Sequence, residues 1–204
     1  MLVPEQTALI LLAAGRSERF GDADKLAQPF LREPLAFHVV TALEAVPFHC
    51  RIAVVSGTQL DFASRGYAVI ENRREGSGQG HSLSLGIEAA RAMGAAAAMI
   101  ALADMPRVTA SHIHHLFDAS RGADTIVASS DGVQPSPPAL FGAEQFDALI
   151  ALEGEEGGRR LIARGRHVVT TPAELVDIDR PEQLAELREL LGLRTNGDLI
   201  PPRL

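Results

Sequence analysis

The residues best suited to chemistry open the chain. Ala13-Ala14-Gly15 follows the apolar run Ala8 to Leu12 and is itself followed by Arg16, Arg19, Gly21 and Lys25. Small residues let a backbone approach a ligand closely, so that successive N–H groups cradle anionic oxygens. Cations placed after them add charge-assisted bonds to phosphate. The pattern predicts a polyphosphate cradle on the loop leaving a buried strand, as a nucleoside triphosphate requires. The better-known phosphate loops do not fit. A P-loop needs Gly-x-x-x-x-Gly-Lys-Ser/Thr, but Gly15 and Gly21 are too far apart and Asp22 stands where the Lys belongs. The dinucleotide pattern Gly-x-Gly-x-x-Gly is absent. A plain strand-to-helix turn is the alternative, and it leaves the cation spacing unexplained.

Two acidic motifs complement these cations. In Ile100-Ala101-Leu102-Ala103-Asp104-Met105-Pro106, a carboxylate ends a buried strand, where open α/β sheets bind ligands. A hard oxygen ligand there suits Mg²⁺, which is usually held by one or two carboxylates plus substrate phosphates; a turn-forming Asp is the alternative. In Val176-Asp177-Ile178-Asp179-Arg180-Pro181-Glu182, strand alternation puts Asp177 and Asp179 on one face. Asp179 also reads as the cap of the last helix, with Glu182 in the capping-box position. Between these motifs, Glu75 to Ser84 is a glycine-rich loop that leads into a helix, either an anion- or base-contacting segment or an ordinary surface loop. Glu153 to Arg160 reads as a solvated loop opening a helix.

Other catalytic arrangements are missing. His81 is the one histidine weighed for function. His112, His114 and His115 lack the spacing of a zinc helix and are expected on a helix surface. The one cysteine, Cys50, precedes the apolar run Ile52 to Val55 and reads as structural. It excludes an internal disulfide, which suits a reducing cytoplasm. No Gly-x-Ser-x-Gly elbow is present.

The elements that must position these residues alternate as strand and helix. The sequence predicts strands at Ala8–Leu12, Arg51–Ser56, Tyr67–Glu71, Ala97–Leu102, Asp124–Ser129, around Leu140–Phe141, His167–Thr171 and Leu175–Ile178. It predicts helices at Leu35–Ala45, Ser82–Met93, Ser111–Ala119 (capped by Thr109), Phe146–Ala151, Gly158–Ala163 and Pro181–Leu191, the last ended by Gly192. Pro135–Pro138 is read as a break before the strand at Leu140. With 204 residues, 46% of them hydrophobic, the chain is expected to form one α/β domain over 1–204, with an irregular tail from about 194. A formal net charge of −7 disfavours nucleic acid and anionic membrane as partners, so any cationic site is local. No apolar run is long enough to span a membrane, and no basic segment precedes the first one.

Taken in order, these motifs resemble the MobA-like nucleotidyltransferases, most closely the branch of molybdenum cofactor cytidylyltransferases. Leu12-Ala13-Ala14-Gly15-Arg16-Ser17-Glu18-Arg19-Phe20-Gly21, then Lys25, is similar to that family's opening Leu-Ala-Ala-Gly-x-Ser-x-Arg-Met-Gly followed by Lys. Leu102 to Pro106 is its Leu-Ala-Asp-Met-Pro unchanged. Gly78 to Gly86 follows its Gly-x-x-x-Ser-Leu-x-x-Gly, and Asp177 to Leu184 its Asp-Ile-Asp-x-Pro-Glu-x-Leu. The resemblance covers about residues 8 to 190. It implies a Rossmann-like three-layer sandwich with a mostly parallel central sheet, of the nucleotide-diphospho-sugar transferase type.

The activity implied is Mg²⁺-dependent transfer of CMP from CTP to molybdopterin, with pyrophosphate leaving. Leu12, Ala13, Ala14 and Gly15 would cradle the nucleotide, Arg19 and Lys25 neutralise its phosphates, and Gly78 and Ser82 contact base or ribose. Asp104 and Asp179 would hold the metal, with Asp177 as second choice. Arg19, Lys25 and Asp104 form the expected catalytic set. Ala14, where the guanylyl-transferring branch has glycine, favours CTP over GTP. An apo-molybdoenzyme or its chaperone is the implied partner. Two departures bear on the acceptor: Ser136-Pro137-Pro138 replaces Gly-His-Pro, and Gly154-Glu155-Glu156-Gly157-Gly158-Arg159 replaces Gly-Asp-x-Gly-Ala-Arg. They leave open a same-fold transferase acting on a sugar phosphate, polyol phosphate or phospho-acid. A non-catalytic nucleotide-binding module is the more distant alternative.

Overall fold

The computed structural model describes residues 1–15, 18–21, 23–74, 78–152, 154 and 157–191. Expectations for Arg16, Ser17, Asp22, Glu75, Glu155, Gly192 and the tail from 194 lie outside these residues. The chain starts with β1 (Thr7–Ala13), passes a small antiparallel pair, β2 (Pro29–Phe30) and β3 (Glu33–Pro34), and enters α1 (Leu35–Ala42). It continues through β4 (Cys50–Val55), β5 (Ala68–Glu71), α2 (Gly78–Ala92), β6 (Ala97–Leu102) and α3 (Ala110–Asp118). The last elements are β7 (Ile126–Ser130), β8 (Pro135–Gly142), α4 (Phe146–Ile150), α5 (Arg159–Arg164), β9 (Arg166–Val169) and α6 (Pro181–Leu190).

Seven strands form one sheet in the order β5-β4-β1-β6-β8-β7-β9. All neighbours are parallel except β8, which runs against β6 and β7. The centre of the sheet is apolar on both faces because both are covered. Leu9, Leu11 and Ala13 of β1 enter the core shared with α1 and α3. Ala8, Ile10 and Leu12 alternate into the core under α2, α4 and α5. The result is three layers. The chain leaves β1 toward β4 and β5, then returns to β6 on the other side, so the connections part at the carboxyl ends of β1 and β6, where such sheets bind ligands. Among the described residues, no helix is long and apolar enough to cross a membrane.

Several local expectations are corrected. α2 begins at Gly78, so Gly78, Gln79, Gly80 and His81 are helical rather than loop. The N–H of Gly80, an orphan of the first turn, donates to Gly154 O at 2.9 Å, which offsets the poor helix propensity of glycine. Gly86 has a packing reason: a Cβ there would lie 2.6 Å from Ile10 Cγ2. Pro135–Pro138 is the first half of β8 rather than a break. β6 pairs only with Ala139 to Gly142, so no ladder bond to β6 is asked of the prolines, and a bulge at Ala128/Ser129 adjusts β7 to them. Leu175–Ile178 is not a strand. Leu175 follows a short 3-10 turn, and Ile178 is buried with Phe30, Leu35, Leu184 and Leu187 in a small separate cluster. Cys50 is half-buried at the start of β4, and burial pushes its thiol up.

His112 is the other correction. It is buried beside Ile113, Leu116 and Phe117 rather than lying on the helix surface. Its Nε2 lies 2.7 Å from Ser129 Oγ, which in turn donates to Pro138 O at 2.8 Å. Burial lowers its pKa below 6.5, against the opposing charge of Glu174 and with a small contribution from His115. A depressed folded-state value means that the unfolded chain binds the extra proton first. The stability from neutral His112 is therefore complete above 6.5 and lost as pH falls through the folded value. Unfolding free energies from urea titrations should fall as the pH is lowered below about 6.5, by up to about 1.4 kcal/mol per pH unit for this one group, and the slope should flatten in H112N. An identical slope in H112N would remove His112 from this account.

Candidate active site

Backbone pairing brings the two principal motifs together. Ala103 N donates to Leu12 O at 3.0 Å, extending the β1–β6 ladder to the start of the Ala13-Ala14-Gly15 loop. Asp104 therefore stands beside that loop. Ile178 N donates to Asp104 O at 3.0 Å, which draws in the segment carrying Asp177 and Asp179. One interstrand-like bond, not a strand, aligns these carboxylates. α6 does not use Asp179 as its cap. Gln183 Oε1 accepts from the backbone N–H of Asp179 and of Arg180, each at 2.8 Å, so the capping-box partner is Gln183 rather than Glu182 and the Asp179 carboxylate is left to the site.

Lys25 sits at the centre. Its Nζ lies 2.7 Å from Asp104 Oδ2 and 3.3 Å from Asp179 Oδ1. Side-chain exposure is 6% for Lys25, 19% for Asp104 and 47% for Asp179. Arg19 reaches Asp179 Oδ2 from the solvent side at 3.5 Å. Asp24 secures the approach: it accepts from Leu26 N at 2.9 Å and from Thr58 Oγ1 at 2.6 Å, fastening the loop before Lys25 to the loop after β4. Burial alone would lower the Lys25 pKa, but Asp104 and then Asp179 outweigh it and raise it. Lys25 is thus a fixed cation, not a proton acceptor. Asp177 is pushed up by burial, then by the charges of Asp104 and Asp179.

Among the described residues, Lys25 pairs with Asp104 and Asp179, and Arg19 with Asp179 alone. Asp104 Oδ1 is buried without a hydrogen-bond partner, a free hard oxygen where a metal ion would find one. Among the described residues, no group of three or more His, Cys, Asp or Glu side chains is placed to hold a metal. One or two carboxylates, with the rest of the shell from substrate and water, can serve a divalent ion without a protein-enclosed site.

The second half of the predicted site lies at the start of α2. Ser82 is buried, and its hydroxyl accepts from Asn72 Nδ2 at 2.8 Å. Asn72 N donates to Val55 O at 2.8 Å, so the first turns of α2 are fixed to the carboxyl end of β4. The Gly78–Ser82 segment thereby opens at the same end of the sheet as Ala13–Gly15. Asn72, Asp24 and Gln183 escaped the sequence reading because amides and lone carboxylates in loops carry no spacing signature. A polar residue next to Lys25 or directly after a strand was the available clue.

Comparisons with known proteins bear on the fold and the family. The MobA-like NTP transferase domain matches residues 9–169. The chain is 31% identical over 202 residues to the purine catabolism protein PucB of Bacillus subtilis, covering 90% of this chain and 96% of that protein. Among solved structures, a nucleotidyl transferase from Methanothermobacter thermautotroptrophicus superposes with a TM-score of 0.76 at 19% identity, covering 91% of this chain and 97% of the other. A manganese complex of Rv0371C from Mycobacterium tuberculosis gives 0.72 at 20% identity, covering 90% and 98%. The structural likeness shows the fold, and the family match over residues 9–169 together with the identity to PucB shows the family: the chain belongs to the MobA-like NTP transferases and is a nucleotidyltransferase.

Proposed function

We propose that the protein transfers CMP from CTP to the terminal phosphate of molybdopterin carrying molybdenum, releasing pyrophosphate, with Mg²⁺ as the metal. The observation that carries the reading is the Lys25–Asp104–Asp179 cluster beside the small-residue loop of β1. An acceptor phosphate oxygen is already a nucleophile. It attacks the α-phosphorus, the bond from that phosphorus to the bridging oxygen breaks, and pyrophosphate leaves with the electron pair. No strong base is required, and alignment with charge neutralisation supplies the catalysis. In this reading the N–H groups of Ala13, Ala14 and Gly15, beside Leu12, hold the triphosphate. Arg19 and Lys25 offset the charge developing on pyrophosphate. Gly78 and Ser82 contact base or ribose, Ser82 while fixed by Asn72. Asp104 and Asp179 would hold Mg²⁺, which when bound supplies Lewis-acid neutralisation of the phosphates.

The methyl of Ala14 narrows the space beside the base and favours cytosine; one methyl is worth about 1–3 kcal/mol of discrimination. PucB is named for purine catabolism. By resemblance the recipient is an apo-molybdoenzyme or its chaperone. One observation favours a second reading, transfer to another phosphorylated acceptor. Ser136-Pro137-Pro138 lies on β8 beside the end of β6, beyond their last pairing, where the resemblance implies Gly-His-Pro.

The test is pyrophosphate release with Mg²⁺ and each of CTP, GTP, ATP and UTP, with and without molybdenum cofactor. Release with CTP that depends on the cofactor is expected. Release that prefers GTP, or that ignores the cofactor, would reject the corresponding half of the proposal.

A further inference from the structure

The loop joining β6 to α3 carries two of the buried side-chain atoms without a hydrogen-bond partner among the described residues: Asp104 Oδ1 and Arg107 Nε. Asp104 Oδ1 belongs to the site around Lys25; Arg107 Nε has no partner there. Met105 and Val108 are buried in the core, and Val108 N donates to Met105 O at 3.5 Å, closing a turn with Pro106 and Arg107 as its central pair. Pro106 suits the second position of such a turn and sets its course. Arg107 is half-buried between buried neighbours. No carboxylate among the described residues pairs with its guanidinium. A half-buried arginine left without a counter-ion, on an acidic protein, costs stability unless an anion is to arrive.

The course of the chain says which anion. Triphosphate binding is assigned to the β1 side of Asp104. From Asp104 the loop runs the other way, toward α3, which packs on β7 and β8. The antiparallel β8 puts its first residues, Pro135–Pro138, at this same end of the sheet, past the last pairing with β6 at Ile100/Ala139. Arg107 follows Asp104 by three residues, within about 11 Å along the backbone. Its segment is the one that leaves Asp104 toward α3, not the one that runs beside β1.

We propose that Arg107 binds the attacking phosphate of the acceptor, presenting its planar fork to a phosphate monoester on the β8 side of Asp104. This rests on the nucleotidyl-transfer reading and adds to it the acceptor's binding group. The fork offers paired donors to two phosphate oxygens, which steers a third toward the nucleotide. Specificity then resides in the charge of the phosphate, with β8 left to shape the rest of the acceptor.

The experiment titrates inorganic phosphate, as the bare acceptor group, into protein loaded with Mg²⁺ and the non-reacting α,β-methylene analogue of CTP. Losing a charge-assisted pair should weaken phosphate binding by roughly tenfold or more in R107Q, less in R107K, with analogue affinity held within about twofold in all three proteins. Phosphate binding unchanged in R107Q, absent from the wild type, or lost together with analogue binding would overturn the proposal. In turnover with molybdenum cofactor, R107Q should raise the acceptor KM while leaving the CTP KM in place. If the wild type does not turn over that cofactor, the molybdenum reading fails while the phosphate titration still decides Arg107.

Discussion

Asp104→Asn is expected to lower the rate of pyrophosphate release by about 10²–10³, the range for removing one preorganised electrostatic partner of a phosphoryl-type transition state. The substitution keeps shape and removes charge. The backbone of Asp104 is fixed by Ile178 N and its neighbour Met105 is buried, so the amide should occupy the carboxylate's place. What changes is that Lys25 loses the closer of the two carboxylates described beside it, and the orphaned Oδ1 no longer offers a full charge. Asp179→Asn should cost less, roughly tenfold, because a carboxylate 47% exposed already shares its charge with water. Initial rates against Mg²⁺ concentration check both. The D104N curve should stay low at saturating metal, whereas the D179N curve should be displaced mainly toward higher metal. Full Mg²⁺-dependent activity in D104N would remove Asp104 from the metal site.

The parts of this arrangement that could be read in the sequence are those coded by continuous pattern. β1 and β6 are unbroken apolar runs because both faces of the central sheet are covered, and Asp104 could be placed because it ends one of them. The parts that escaped depend on contacts distant in the chain. Leu175–Ile178 alternates like a strand, but Ile178 satisfies a small cluster with α6 and β2, and its single backbone bond goes to Asp104 rather than to a ladder. Pro135–Pro138 carries a break signal that lost its force because the pairing of β8 with β6 stops at Ala139. Gly78–Gly80 lost its loop character to a carbonyl, that of Gly154, which no local window contains. His112 was misplaced by residue type; its spacing to Leu116 and its adjacency to Ile113 put it on the buried stripe of α3.

Lys25→Met should separate folding from chemistry at this site. The wild-type pair network is stabilising while Lys25 is charged. Because the folded pKa is raised above 10.5, that contribution is complete below 10.5 and is lost only as pH rises through the folded value. Methionine fills much of the same volume but leaves Asp104 and Asp179 facing one another, with Asp177 close enough to be raised by both. Breaking a fully buried pair costs about 3–5 kcal/mol; with Asp179 half in water, a loss of about 1–3 kcal/mol is expected here. Activity should fall by about 10² or more, since the buried cation beside the cradle is gone. The discriminating readout is the melting temperature with and without Mg²⁺. If Lys25 and a divalent ion answer the same carboxylate charge, Mg²⁺ should raise the melting temperature of K25M more than that of the wild type, restoring much of the lost stability without restoring turnover. Equal shifts in the two proteins would mean that the metal binds elsewhere and that Lys25 and Asp104 form a structural pair beside the site.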